Sequence, residues 1–125
     1  MKRQIAKNKT REDHINNEII VDANSSDEVM MGWLTYLEDS LACPFEAECI
    51  EQRKISPLRK GEKVTVLEVL GDEEDIGGEF FVRIEWGGRK MGVPLTQLKP
   101  LHTDKETKQA IEDWQYWRAR GYVFC

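Results

Sequence analysis

Four consecutive acids, Asp72-Glu73-Glu74-Asp75, stand between two apolar runs and are followed by Gly77-Gly78 and Glu79. Like charges crowded into one turn repel each other, and a bound dication relieves the repulsion. Calcium takes about six to eight oxygens from carboxylates, carbonyls and water at roughly 2.3 to 2.6 Å. A solvated hairpin tip with gatekeeping charge accounts for the same run equally well from composition alone. Glu38-Asp39 is a second oxygen source, placed in what reads as the last turn of a helix. There, acidic side chains and the unpaired final carbonyls add their negative potential. Asp39 falls opposite the Leu34, Leu37 and Leu41 stripe, so spacing alone favours an ordinary solvent-facing acid. Asp22-Ala23-Asn24-Ser25-Ser26 copies three alternate positions of an EF-hand loop. Asp27 then stands where Gly is needed and Trp33 where a bidentate Glu belongs, which excludes an EF-hand of the usual form. Glu12, Asp13, Glu18, Glu46, Glu48, Glu112 and Asp113 are further acids that folding could add to a site.

Other chemistries lack their residues. His14 and His102 are far apart, with no Cys or His at ligand spacing, so a zinc site is not expected. No nucleophile elbow, phosphate-binding glycine loop, dinucleotide fingerprint or cysteine-protease signature is present, and the chain is not read as an enzyme. Cys43, Cys49 and Cys125 are read as reduced thiols of a cytoplasmic protein. No apolar run approaches the roughly 20 residues of a membrane span. Net charge is −5, yet five bases precede residue 12 without an acid, and residues 12–125 hold 13 basic against 23 acidic residues. Such an excess repels phosphate backbones and attracts cations, so neither nucleic acid nor membrane is expected as a partner. A monomer is expected, with a protein partner left open.

The elements that must position these residues follow from periodicity. Residues 1–10 read as a flexible basic arm and 11–125 as a single domain. Ile15, Ile19 and Ile20 give the segment Arg11 to Val21 one apolar edge, as in a short helix. Ser25 and Glu28 form a capping box that opens a second helix. Met30, Trp33, Leu34, Leu37 and Leu41 form its stripe, and Pro44 ends it. Ala47 to Gln52, Val64 to Leu70, Phe80 to Trp86 and Lys90 to Val93 read as strands, joined by glycine-containing turns. A 3₁₀ turn is expected at Leu95 to Leu98. Thr103 and Glu106 form a second capping box, opening a helix with Ala110, Ile111, Trp114 and Trp117 on one face and Gly121 as its stop. Tyr122 and Phe124 are then expected to pack back on the body. The four tryptophans are read as core packing before a ligand box. The fold class is α+β: a small SH3-like antiparallel barrel packed with two N-terminal helices and one C-terminal helix.

Glu18-Ile19-Ile20-Val21-Asp22, Gly32-Trp33-Leu34-Thr35-Tyr36-Leu37-Glu38-Asp39, Pro44-Phe45, Ile55-Ser56-Pro57-Leu58, Val93-Pro94-Leu95-Thr96-Gln97-Leu98 and Ala110-Ile111-Glu112-Asp113-Trp114-Gln115-Tyr116-Trp117 together resemble the small cyanobacterial-type calcium-binding proteins that lack EF-hands. The resemblance covers roughly residues 12 to 124. It implies a cytosolic calcium buffer or sensor whose ligands are acids near the end of the second helix and in the barrel loops. Asp39 is the strongest assignment it carries, against the plainer reading of its spacing. The resulting expectation is Ca²⁺ bound by Asp39, Glu38, Asp72, Glu73, Glu74 and Asp75. The alternative is an SH3-like peptide-binding module without a metal requirement, in which the acids only steer the partner.

Overall fold

The computed structural model describes residues 7–21, 23–54, 56–70 and 80–122. Asn8 opens the first helix, α1 (Lys9–His14), by accepting a hydrogen bond from the Arg11 N–H at 3.0 Å. The helix thus starts two residues before Arg11, inside the stretch read as a flexible arm. It widens into one π-helical turn over Ile15–Ile19, whose Ile15 and Ile19 are buried as the spacing requires. Helix α2 (Ser26–Ser40) is capped by Ser25, which accepts from the Glu28 N–H at 3.2 Å. The Glu28 carboxylate reaches back to the Asn24 N–H rather than to Ser25, a variant of the expected box. Trp33, Leu34, Leu37 and Leu41 are buried along the expected stripe.

Gly32 is required by a close approach. A Cβ there would stand 2.5 Å from the Ile19 carbonyl oxygen, so only glycine lets the π turn lie against α2. Gly32→Ala is expected to cost about 2 kcal/mol, because the overpacking strain exceeds the roughly 1 kcal/mol that Ala gains in helix propensity. Urea unfolding checks this, and an unchanged midpoint would show that the π turn yields freely.

The strands β1 (Phe45–Cys49), β2 (Lys63–Leu70), β3 (Phe81–Trp86), β4 (Arg89–Pro94) and β5 (Leu98–Leu101) form an antiparallel sheet ordered β4-β3-β2-β1-β5. The fold class is α+β, with two helices before the sheet and one after it. β1 runs two residues earlier than its β-branched pattern suggests, so residues 50–52 belong to the connection that follows. β5 was not expected as a strand, since Pro100 weakens the pattern. It is tolerated because β5 is an edge strand paired to β1 alone, with Pro100 opposite Ala47. The 3₁₀ turn lies at Leu95–Gln97, just before β5.

Helix α3 (Lys105–Ala119) is capped by Asp104, one residue later than expected. The Asp104 carboxylate accepts from the Thr107 N–H at 2.8 Å. The Thr107 hydroxyl is occupied elsewhere: it donates to the Ser40 carbonyl and accepts from the Ala42 N–H, tying α3 to the end of α2. Gly121, at φ +87°, ends α3 as expected, and Phe124 lies outside the described residues. Trp33, Trp114 and Trp117 pack together with Phe80 in the core, with ring centres 4.9 to 5.7 Å apart. Edge-to-face and tilted rings of this kind add to the burial of their large surfaces. Trp86 is half-buried at the end of β3.

Candidate functional site

Two of the acids that sequence left available are committed to holding the N-terminal helix. Asp113 is 1% exposed. Its carboxylate accepts from Arg11 Nη1 at 2.5 Å and from the Tyr36 hydroxyl at 2.8 Å, with His14 Nε2 at 3.3 Å. Burial pushes the Tyr36 phenol above its usual range, and the bond to Asp113 adds to the shift. Glu12 accepts from the hydroxyls of Tyr116 at 2.7 Å and Tyr122 at 2.8 Å. Burial alone raises the Glu12 carboxyl, but these two bonds together with the charges of Lys7 and Arg120 hold the group below its usual value of 4.5. Arg11, one of the five bases before residue 12, is therefore an ion-pair anchor.

The end of α2 has a different character. Ser40 is its last residue and no basic residue lies in that turn, so no side-chain charge offsets the partial negative charge of the helix terminus. Glu38 lines a cleft of about 230 Å³ together with Leu37, Leu41, Cys43, Leu67, Glu68 and Val69. Asp39, on the same turn, is exposed and does not line the cleft. Burial pushes the Cys43 thiol up, and the nearby Glu68 carboxylate adds to the effect. A protonated thiol offers calcium nothing, whereas the carboxylates are the hard oxygens it selects.

Glu68 was missed in the sequence. Strict alternation along β2 would turn it inward with Val64 and Val66, where an acid makes no sense as a ligand. The register between β2 and β3 shifts between Val66 and Glu68, which re-aims Glu68 to the exposed face. There it pairs with Arg83 at 2.8 Å. The structure thus brings Glu38 and Glu68 to one cleft at the end of β2. Asp72, Glu73, Glu74 and Asp75 lie outside the described residues. Among the described residues, no group of three or more His, Cys, Asp or Glu side chains is placed to hold a metal ion by itself. No helix among them is long and apolar enough to cross a membrane.

Comparison with known proteins decides the family. A sequence model described as calcium binding, of the CcbP type, matches residues 13–118. The chain belongs to this calcium-binding family. The fold agrees with the crystal structure of Anabaena CcbP, at a TM-score of 0.83 and 33% identity over 98% of this chain and 99% of that one. It also agrees with a structure of a calcium-binding protein in its calcium-binding form, at a TM-score of 0.71 and 35% identity over 93% and 94% of the two chains. No protein of curated function matches. The CcbP family is a calcium-binding one and not an enzyme family, so calcium is the ligand, and the alternative of a metal-independent peptide module is not favoured.

Proposed function

We propose that calcium is held where the end of α2 meets β2, by Glu38 and Asp39 with Asp72, Glu73, Glu74 and Asp75, and that Glu68 joins them. One observation carries this reading: Glu68 shares the Glu38 cleft, and the four-acid run begins four residues further along the chain. Four residues span at most about 14 Å, so the first acid of the run is tethered within that reach of Glu68. The donor set fits the ion, since it consists of carboxylates beside the carbonyls of a helix terminus. The protein then serves as a calcium buffer or sensor, a cytoplasmic monomer that carries out no catalysis.

Titration calorimetry on chelator-stripped protein tests the site. Glu38→Gln and Asp39→Asn are each expected to weaken calcium binding about tenfold, equal to about 1.4 kcal/mol. Replacing residues 72–75 by their amides should remove most of the binding heat, while circular dichroism shows the fold retained. Unchanged affinity in all three variants would place the ion elsewhere.

A further inference from the structure

The strand register gathers exposed bases at one end of the sheet. At the end where β2 begins, the 50–62 connection, the β3–β4 turn and the start of β5 come together. Glu48 pairs in register with both Lys63 and Lys99, while Thr65 and Lys90 both oppose Glu85, and Trp86 opposes Arg89. The connection adds Lys54, Arg59 and Lys60. All seven of these bases are exposed. The acids among them are fewer: Glu85 is exposed, and Glu48, Glu51 and Glu62 are half-buried. Ile50, 36% exposed, adds an apolar contact at the end of β1. Lys63 at this end and Glu68 stand five residues apart on β2, about 17 Å.

We propose that this basic end of the sheet docks an acidic segment of a partner protein, and that the docking does not depend on calcium. The charge balance selects the partner. A chain with 13 bases against 23 acids over residues 12–125 repels an extended polyanion at long range, whereas a compact acidic segment meets only the local basic surface. Calcium independence follows from distance, because about 17 Å is two Debye lengths of roughly 8 Å at physiological salt. The proposal does not rest on which carboxylates hold the ion.

The probe is a fluorescein-labelled ten-residue peptide of Glu and Asp with two Leu, followed by anisotropy against the full chain at about 150 mM salt. Binding is expected, weakened by added salt and unchanged by calcium or chelator. Arg59→Glu/Lys60→Glu should weaken it at least about tenfold, as reversal of rim charges does. Lys105→Glu/Lys108→Glu, an equal change of net charge on α3, should leave it unaltered. Arg59→Gln/Lys60→Gln serves if the reversed pair fails to fold. Equal losses in the two reversal variants would reduce the effect to overall charge and overturn the proposal. So would tighter binding of short-chain polyphosphate or phosphatidylserine vesicles at matched charge, or loss of peptide binding when calcium is added.

Discussion

Replacing Asp113 by Ala is expected to lower the melting temperature by roughly 12 °C. The change removes a nearly fully buried carboxylate from the hydrogen bonds of Arg11 and Tyr36. Truncating one partner of a buried pair costs about 3 kcal/mol, because the other polar groups are left short of a partner. The low end of the usual range applies, as Arg11 remains 26% exposed and keeps Glu112 at 3.7 Å. For a chain of this size each kcal/mol shifts the midpoint by roughly 4 °C. Asp113→Asn retains an acceptor for the Tyr36 hydroxyl and should lose about half as much. Scanning calorimetry with hydrogen exchange at residues 9–19 separates the outcomes: α1 should lose protection first. Equal protection in wild type and Asp113→Ala would show that α1 is held by Ile15, Ile19 and the Glu12 bonds to Tyr116 and Tyr122 without Asp113.

Calcium at about one hundred times its dissociation constant should stabilise the folded chain by about 2.7 kcal/mol, because the ion binds the folded state and not the unfolded one. The corresponding rise in melting temperature is roughly 10 °C. Magnesium should give much less, since it holds its water tightly and demands a smaller, regular octahedron. Trp33, packed against Trp114 and Trp117 one turn before Glu38, provides a fluorescence readout of the same titration. A chelator-reversible shift confined to calcium is the expected result. Equal stabilisation by both ions would point to general screening of the acidic end in place of coordination.

The elements were largely legible because burial repeats with the period of the backbone. Trp33, Leu34, Leu37 and Leu41 fall on one side of a helix, and Ala110, Ile111, Trp114 and Trp117 on one side of another, whatever those sides pack against. Capping was readable to within one residue for the same local reason. Asp104 took the place expected of Thr103, and the Thr107 hydroxyl bonds the end of α2, a contact 65 residues away in the chain. The strand at Leu98–Leu101 escaped notice because Pro100 is acceptable at an edge and nowhere else, and the sequence does not say which strand is the edge.

For the candidate site the division is sharper. Residue type and crowding along the chain single out Asp72 to Asp75 and Glu38-Asp39 as the oxygen-rich stretches from which the proposed ligands are drawn, with Asp39 carried by the family resemblance against its spacing. Which of the dispersed acids are consumed by other duties was decided by tertiary structure. Asp113 and Glu12 went to Arg11, Tyr36, Tyr116 and Tyr122, and Glu68 was turned outward to the Glu38 cleft by a shift in strand register. The physical reason is that a carboxylate's role depends on which groups lie within a few ångströms of its oxygens, and long-range packing sets those neighbours. The same packing gathered seven exposed bases of a mildly acidic chain at one end of the sheet, a pattern that no count along the sequence contains.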